Sequence, residues 1–229
     1  MILSSRLSKI ASLIPKGKRV CDVGTDHAYI PLYSLIHNNS PYAIAMDINK
    51  GPLEIAKNNA IKYNLGDKID FRLSDGLCAL NKDEADVIVI AGMGGPLICE
   101  ILNKGKDIIT NNTHLIIQPM IAPTETRMFL YDNYFNITNE YVVKEENKYY
   151  NIFELEKSLY KPNDYDIYIG KNLLENSSDV INDYLDYKIS ICEKILNGLK
   201  KAINKDNSQI EKHKKELSVY LSYKKEMIR

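Results

Sequence analysis

Aspartates at or beside the ends of apolar, strand-like runs are the residues of this chain best placed to bind a ligand. Asp22 lies in the apolar run 19–23 and Asp26 in the turn after it, while Asp47 ends a second run and Asp75 follows a third. A carboxylate at the tip of the second strand can accept hydrogen bonds from both hydroxyls of a ribose, and Asp47 has that position. Asp75 could accept one from an exocyclic amine. Asp22, Asp26 and Asp75 are equally compatible with helix caps and ordinary turns.

Glycines at two turns would let a ligand approach the backbone. Gly24 follows the first strand, and Gly92, Gly94 and Gly95 follow the most apolar run, 86–91, which is typical of a central strand buried on both faces. Three glycines there indicate either a close ligand or a sharply turned helix start. A dinucleotide-binding turn needs the spacing G-x-G-x-x-G. Only its first glycine is present, so NAD is disfavoured as the cofactor.

These residues would meet at one edge of a sheet whose strands alternate with helices. Apolar runs of strand length end in polar or glycine-rich turns, and segments with helical periodicity follow them. Five β/α alternations that end in an antiparallel hairpin predict an α/β, Rossmann-like class I methyltransferase domain with a mostly parallel, seven-stranded sheet. The predicted strands are 19–23, 42–48, 69–73, 86–91, 114–119, 137–143 and 149–155, and the predicted helices are 3–14, 27–37, 51–64, a segment ending near 102, and 124–132.

Length, charge and cysteine content limit the remaining possibilities. A chain of 229 residues accommodates one full core and an appendage, which we place at 1–158 and 159–229. The 30 basic and 30 acidic side chains exclude a uniformly basic surface. Four scattered cysteines, no leader pattern and no apolar stretch of membrane-spanning length predict reduced thiols, no membrane association and a cytoplasmic location.

The tail after residue 157 contains two amphipathic helical patterns. Their seam positions recur every seven residues: Leu174, Ile181, Lys188 and Ile195 in a long helix after Gly170, then Ile203, Ile210 and Leu217. The patterns predict a C-terminal α-helical coiled-coil hairpin whose turn lies at 197–198 or 204–208. We expect His213 to be packed rather than to bind a metal, because no second ligand lies at metal spacing.

Charge is distributed unevenly along the chain. Residues 187–229 hold 11 basic and 5 acidic side chains, whereas the chain as a whole is neutral. A basic helical hairpin could hold an RNA backbone through phosphate contacts, whose strength falls with salt. A coiled coil with a solvated lysine face would have the same composition, so charge alone does not separate the two interpretations.

Three segments together resemble one known family. The segments Asp22-Val-Gly-Thr-Asp-His-Ala-Tyr-Ile-Pro31, Ala91-Gly-Met-Gly-Gly95 and Leu115-Ile-Ile-Gln-Pro119, in this order, look like those of the bacterial tRNA adenine-22 N1-methyltransferases, the TrmK family. The Ser5-Arg6-Leu7 start and the helical tail agree, so the resemblance covers essentially the whole chain. It implies an S-adenosylmethionine-dependent enzyme that acts on tRNA. Many members carry Asn after Gln-Pro where this chain has Met120, which makes Gln118 the better candidate for holding the adenine.

The chemistry that this resemblance implies assigns roles to the residues. Adenine N1 already carries a lone pair, so methyl transfer would need alignment more than proton removal. A carboxylate near the ring could stabilise the positive charge that develops or take the N6 proton. Asp26 is the catalytic candidate, and His27 would orient it or contact the cofactor. Because N1 lies on the pairing edge of the base, the target must be unpaired or flipped.

The remaining site residues fall into two groups, and no metal ligand is expected. The residues predicted to bind the cofactor are Asp22, Gly24, Ala28, Tyr29, Asp47, Ile48, Asp75, Gly76, Gly92 and Met93. Those predicted to bind the substrate are Arg6, Gly94, Gly95, Gln118 and Pro119. We expect a monomer or weak homo-oligomer. A small-molecule methyltransferase on the same fold and a non-catalytic RNA-binding protein are the alternatives.

Overall fold

Seven strands form one sheet in the order β3-β2-β1-β4-β5-β7-β6 in the computed structural model of this protein, which describes residues 1–202 and 206–227. β1 to β5 are parallel, and β7 runs antiparallel to both β5 and β6. This confirms the predicted Rossmann-like methyltransferase fold. The strands are β1 Val20–Val23, β2 Ala43–Asp47, β3 Ile69–Leu73, β4 Val87–Met93, β5 His114–Pro119, β6 Phe135–Glu145 and β7 Lys148–Lys157.

Helices cover both faces of the sheet and continue into the tail. They are α1 Ser5–Ser12, α2 Tyr29–His37, α3 Lys50–Lys62, α4 Gly95–Lys104, α5 Pro123–Asp132, α6 Asp164–Tyr168, α7 Leu173–Asn176, α8 Ile181–Lys201 and α9 Asn207–Met227. A short 3-10 turn, Gly66–Lys68, precedes β3. None of the helices in 1–202 and 206–227 is long and apolar enough to cross a membrane.

The inner strands explain why the strand predictions succeeded. All residues of β1 and β2 are buried, because parallel strands inside a doubly wound sheet are covered on both faces. The strand order changes direction between β1 and β4, whose residues pair from Val20 with Val87 onward. Ligand crevices in such sheets open beyond the carboxyl ends of the strands at this point.

Helix α1 lies against β6 and brings its first turn to the open edge of the sheet. The hydroxyl of Ser4 accepts a hydrogen bond from the amide of Leu7 and so caps the helix. Ile10 and Ala11 pack into the core, and Nζ of Lys9 lies 3.7 Å from the ring centre of Tyr141 in β6. The N-terminal turn, which carries Arg6, is therefore held at the carboxyl edge of the strands.

The tail differs from the sequence-based prediction at its start. The long helix predicted after Gly170 is wrong: α7 ends at Asn176, and α8 begins only at Ile181. The hydroxyl of Ser177 accepts a hydrogen bond of 2.8 Å from the amide of Val142 in β6, which holds the chain away from a continuous helical path. As a result, Leu174 is 41% exposed and does not lie in the same helix as Ile181.

The two long helices pack against each other and run in opposite directions. Lys188 contacts Glu216, and Asp186 contacts Lys224, so α9 returns along α8. Helix α8 continues to Lys201 and α9 begins at Asn207, so the alternative turn at 197–198 is wrong. The seam of α8 is formed by Ile181, Leu185, Cys192 and Leu196 rather than by Ile195. Ile203 lies outside the described residues.

His213 lies in this seam beside two other groups that sequence spacing did not bring together. The ligand atoms of Cys192, His213 and Glu216 are within 4.8 Å of one another. Glu216 accepts a hydrogen bond of 2.6 Å from Tyr220, lies 3.1 Å from Nδ1 of His213 and lies 3.7 Å from Nζ of Lys188. These protein donors lower the pKa of Glu216 although its burial acts in the opposite direction. The Glu216 carboxylate thus already has protein partners at its oxygens.

The coiled-coil geometry and the domain boundary at 158 stay predictions. β7 ends at Lys157, close to that boundary. The tail nevertheless packs directly on the sheet, because Val142 and Tyr149 of the β6–β7 hairpin join the apolar cluster that contains Tyr184 and Tyr220.

Candidate active site

Two adjoining cavities open beyond the carboxyl ends of β1, β2 and β4. One, of about 290 Å³, is bounded by Asp47, Ser74 and Met93; we call it the Asp47 cavity. The other, of about 220 Å³, is bounded by Arg6 and Asp26; we call it the Asp26 cavity. Both are lined by Gly24, Ala91 and Gly92, so the two spaces meet at the turns that follow β1 and β4.

The Asp47 cavity combines a buried carboxylate with apolar walls. Asp47 is 9% exposed, and its Oδ1 accepts a hydrogen bond of 2.9 Å from the amide of Asn49. Within the described residues its Oδ2 has no hydrogen-bond partner. Ile48 and Leu97 line the same cavity and are both well exposed. The arrangement suits a polar ribose beside a flat, apolar ring.

Asp75 lines the same cavity but is already partly engaged. Its carboxylate lies 3.3 Å from Nζ of Lys104, which also pairs with Glu100. More than half of the Asp75 side chain is exposed to solvent. Removing an exposed, ion-paired carboxylate costs less binding free energy than removing a buried one, because solvent screens the exposed charge. Asp75 is therefore a weaker candidate than Asp47 for a decisive ligand contact.

Gly24 separates the two cavities, and its backbone conformation favours glycine. Its φ angle of +74° favours glycine, and a Cβ atom at this position would overlap Cε of Met93. The amides of Gly24 and Thr25 both donate to the carbonyl of Met46, at 2.8 and 2.9 Å. These bonds fix the turn against β2, so the backbone at Gly24 is presented to both cavities.

Asp22 is a buried carboxylate with one side-chain partner in the structure. It is 5% exposed and accepts a hydrogen bond of 2.8 Å from the hydroxyl of Thr25. Burial, reinforced by the nearby charges of Asp47 and Asp26, raises the pKa of Asp22 to about 7, and the Thr25 bond offsets only part of this. A cationic ligand in the Asp26 cavity would favour the ionised form of this carboxylate.

Asp26 and His27 form the exposed wall of the Asp26 cavity. The carboxylate of Asp26 lies 3.5 Å from Nε2 of His27, and its side chain is 66% exposed. The ring of His27 stacks on Tyr29 at 5.2 Å. Asp26 and Ala28 have φ angles of 51° and 58°, which are costly for residues with a Cβ and recur at functional sites. The turn thus holds Asp26 toward the cavity and away from the core.

Arg6 reaches the Asp26 cavity from α1 and is held by Gln118. The Oε1 atom of Gln118 accepts hydrogen bonds from Nη1 of Arg6 at 2.8 Å and from the amide of Gly92 at 3.2 Å. The Nε2 atom of Gln118 donates to the carbonyl of Pro119 at 2.9 Å. Gln118 is completely buried, so it positions Arg6 and the Gly92 turn and does not line either cavity.

The β6–β7 hairpin supports Arg6 from the other side. Glu145 accepts a hydrogen bond of 2.8 Å from the amide of Arg6, and the guanidinium lies 5.6 Å from the ring centre of Tyr150. Local sequence patterns do not predict either contact, because each joins residues about 140 positions apart. The hairpin therefore contributes to the site although it lies at the edge of the sheet.

Gly94 and Gly95 lie outside both cavities. A Cβ atom at Gly95 would overlap the hydroxyl of Thr126 and approach the carbonyl of Ile121 to 2.8 Å. The amide of Gly95 donates to that same carbonyl. Close packing of α4 against the turn before α5 therefore accounts for Gly95, and the substrate roles of Gly94 and Gly95 stay predictions.

Most of the predicted cofactor residues line the two cavities, whereas most of the predicted substrate residues do not. Nine of the ten cofactor candidates line one of the two cavities; the exception is the buried Ala28. Among the five substrate candidates, Arg6 alone lines a cavity. Pro119, like Gln118, is buried. The lining residues that were not among the predicted site residues include Thr25, Ile30, Ser74, Ala91, Leu97 and Ile101.

Comparison with known proteins agrees with this site. The model of a methyltransferase domain matches residues 3–153. The tRNA (adenine(22)-N(1))-methyltransferase of Bacillus subtilis is 41% identical over 154 residues, which make up 67% of this chain and 65% of that protein. The crystal structure of the B. subtilis m1A22 tRNA methyltransferase TrmK has a TM-score of 0.86 at 30% identity, covering 96% of this chain and 98% of that chain. This chain belongs to the TrmK family.

A second TrmK structure shows which ligand the family fold accommodates. TrmK of M. capricolum, solved with S-adenosylhomocysteine, has a TM-score of 0.82 at 30% identity and covers 97% of this chain and 98% of that one. The sequence match to the B. subtilis enzyme spans just under two thirds of that enzyme's length, whereas both structural matches span almost the entire chains. The TrmK resemblance therefore extends to the helical tail.

Proposed function

We propose that this chain transfers a methyl group from S-adenosylmethionine to N1 of adenine 22 in tRNA. The observation that carries the proposal is the pair of cavities that meet at Gly24 and Gly92, in a chain that is similar to a tRNA m1A22 methyltransferase over nearly its entire length. One cavity suits a nucleoside, and the other presents a carboxylate and an arginine. A donor and an acceptor could thus meet at the shared wall.

The residues of the Asp47 cavity fit an adenosine. Asp47 would accept hydrogen bonds from the ribose hydroxyls through Oδ2, which accepts no hydrogen bond from any described residue. Ile48 and Leu97 would contact the two faces of the ring, and Asp75 would accept a bond from its exocyclic amine. The methionine part would extend past Gly24, toward Asp22 in the Asp26 cavity.

S-adenosylmethionine supplies an electrophilic methyl group on a positively charged sulfur. The protein's part is to align the acceptor, because N1 of adenine attacks through its own lone pair and needs no prior deprotonation. As the bond forms, positive charge spreads over the base. The carboxylate of Asp26 would stabilise that charge or accept the N6 proton, and His27 would fix its orientation. The reaction proposed here requires no metal ion.

The acceptor base must leave its stacked or paired position before it can reach this site. The Watson–Crick edge of adenine carries N1, so a paired base would be inaccessible. The exposed ring of Tyr29 offers a stacking surface beside Asp26, and Arg6 is placed to contact a neighbouring phosphate. We propose that the enzyme acts on tRNA in the cytoplasm, as a monomer or a weak homo-oligomer.

Methylation of unmodified tRNA tests the proposal directly. Purified protein is incubated with labelled S-adenosylmethionine and unmodified tRNA, and the product is digested and mapped by mass spectrometry. We expect N1-methyladenosine at position 22. Cofactor binding without methylated tRNA, or methylation at another atom, would contradict the proposal and favour a small-molecule acceptor or a different site.

The role of Asp26 is tested by two replacements. We expect Asp26→Ala to reduce kcat by roughly 10²–10⁴-fold, the range typical of general acid–base or electrostatic groups, with little change in cofactor affinity. Asp26→Asn separates charge from hydrogen bonding, because it keeps the shape and removes the negative charge. Wild-type kcat in both variants would show that the catalytic assignment of Asp26 is wrong.

A further inference from the structure

Three side chains of the types that bind metal ions meet between α8 and α9, outside both cavities. Cys192 comes from α8, and His213 and Glu216 come from α9. Their ligand atoms lie within 4.8 Å of one another, and in the part of the chain that the structure describes no other group of three such side chains comes this close. None of the three lines the Asp26 cavity or the Asp47 cavity, so the methyl transfer proposed above does not use them.

The positions of these residues suit a site that two helices share. His213 and Glu216 are three residues apart, so they project from one face of α9, and Cys192 approaches them from the antiparallel α8. Helical bundles hold metal ions in this way, with a carboxylate and an imidazole three residues apart on one helix and further ligands on its neighbours. Because Cys192 and His213 belong to different helices, spacing along the chain does not predict the cluster.

The cluster is shielded from solvent. Cys192 is 2% exposed and Glu216 is 7% exposed, and the side chain of His213 is 17% exposed. A buried thiol usually packs as a small apolar group, as Cys21 does in the core of the sheet. The imidazole and the carboxylate beside it distinguish Cys192 from such a thiol.

The two oxygens of Glu216 have different partners. Oε1 accepts a hydrogen bond of 2.6 Å from the hydroxyl of Tyr220 and lies 3.7 Å from Nζ of Lys188. Oε2 lies 3.1 Å from Nδ1 of His213, on the side of the cluster. Hydrogen bonds from outer groups orient metal-binding carboxylates and strengthen metal binding. Oε2 can therefore bind a metal ion together with Nδ1 while Oε1 keeps its protein partners.

We propose that Cys192, His213 and Glu216 bind a zinc ion that joins α8 to α9. The ligand atoms are Sγ, Nδ1 and Oε2, and a water molecule takes the fourth position of the tetrahedron. A thiolate together with an imidazole favours Zn²⁺ over Mg²⁺ and Ca²⁺, which bind through oxygen atoms. The thiol proton of Cys192 is released to solvent when the ion binds. The ion stabilises the packing of the two helices and takes no part in methyl transfer.

Metal titration of the full chain tests the site. The protein is reduced and freed of metal with a chelator, and zinc chloride is added while calorimetry measures the stoichiometry and circular dichroism measures the melting temperature. Cobalt chloride serves as a spectroscopic probe, because a thiolate ligand gives a sulfur-to-cobalt charge-transfer band. We expect one ion per chain, this band in the wild-type protein, and a melting temperature that rises with the concentration of Zn²⁺.

Two cysteine replacements give a matched comparison. Cys192→Ala should abolish both the charge-transfer band and the Zn²⁺-dependent rise in melting temperature. Cys78→Ala removes an exposed cysteine and should leave both unchanged. Tyr220→Phe keeps all three ligands but removes a hydrogen bond to Glu216, so the affinity for Zn²⁺ should fall by about 10–100-fold. Circular dichroism of the metal-free variants establishes that they remain folded, and the cobalt spectrum of the wild-type protein tests the site without any variant.

Three results would overturn the proposal. The first is a wild-type protein that binds neither Zn²⁺ nor Co²⁺ at one ion per chain, and the second is bound cobalt without the charge-transfer band. The third is an unchanged band in Cys192→Ala, which would place the ion at another cysteine. None of these measurements requires tRNA or S-adenosylmethionine, so their outcome is independent of the proposed function.

Discussion

The buried carboxylate at the cleft has few hydrogen-bond partners, whereas the buried carboxylate at the junction between the sheet and the tail has many. Asp22 at the cleft is 5% exposed and has one hydroxyl partner, and its pKa is raised to about 7. Glu140 at the junction is fully buried but accepts hydrogen bonds from Arg127 and from Asn151. A buried carboxylate with few hydrogen-bond partners indicates a place for a ligand. A buried carboxylate whose oxygens all accept hydrogen bonds from the protein indicates a structural contact between elements.

The junction is held by a hydrogen-bond network that joins five elements, α5, β6, β7, α6 and α8. Arg127 of α5 donates through Nε to Glu140 of β6 at 2.9 Å and through Nη2 to the other carboxylate oxygen. Two further N–H groups of its guanidinium donate to the carbonyls of Ile167 and Ile169, both at 3.1 Å. Asn151 of β7 donates to Glu140 at 2.8 Å and accepts from Tyr184 of α8. The network fixes the start of the tail against the sheet.

The greatest loss of stability should follow from breaking this buried pair. Arg127→Met leaves the Glu140 carboxylate buried without its cation, and we expect the free energy of unfolding to fall by about 3–5 kcal/mol. Chemical denaturation measures the change. Lys144→Met breaks an exposed pair with Asp183 between β6 and α8 and should change stability far less. If the two replacements lower the free energy of unfolding equally, the buried Arg127–Glu140 pair is not more important for stability than the exposed Lys144–Asp183 pair.

At the cleft, the same logic predicts a loss of ligand affinity and not of stability. Asp47→Ala removes a charged acceptor that has a free oxygen, and the affinity for S-adenosylmethionine should fall by roughly 10–100-fold, as expected for hydrogen bonds to a charged group. Isothermal titration calorimetry measures it. Asp75→Ala should cost less, because that carboxylate is exposed and paired with Lys104. A larger effect at Asp75 would reverse our ranking of the two acids.

The sequence allowed the fold and the cofactor half of the site to be predicted because both depend on local patterns. Buried parallel strands appear as apolar runs, and a ligand at the sheet edge is bound by residues just after them, such as Asp47 and Gly92. The turn at Gly24 was predictable for the same reason, since its glycine and its neighbours are consecutive in the chain. The identity of the acceptor came from family resemblance, not from any single pattern.

The rest could not be predicted because it depends on contacts between distant parts of the chain. Gln118 looked like a substrate contact, but burial in β5 turns it toward Arg6. Gly95 was predicted to bind the substrate, but the packing of α4 on the Ile121 turn by itself calls for a glycine there. The heptad that began at Leu174 failed because Ser177 bonds to β6. Periodicity within one segment carries no information about such partners.

The smallest expected effect concerns protons at Asp22. In the free protein its raised pKa keeps this carboxyl partly protonated near neutral pH, so Asp22 contributes stability that is lost as the pH rises from about 4 to about 7. The positive sulfur of S-adenosylmethionine favours the ionised form, and binding should therefore release a proton below pH 7.

The affinity for S-adenosylmethionine should accordingly rise by roughly tenfold between pH 5.5 and 7, where the free protein goes from almost fully protonated to half ionised at Asp22. Calorimetry in two buffers of different ionisation enthalpy measures the proton release directly. Asp22→Asn is the matched control, because it keeps the shape of the side chain and cannot titrate. If the affinity of Asp22→Asn for S-adenosylmethionine rises with pH as it does in the wild-type protein, the released proton comes from another group of the Asp26 cavity. A buried carboxylate with few hydrogen-bond partners would then not indicate the ligand site.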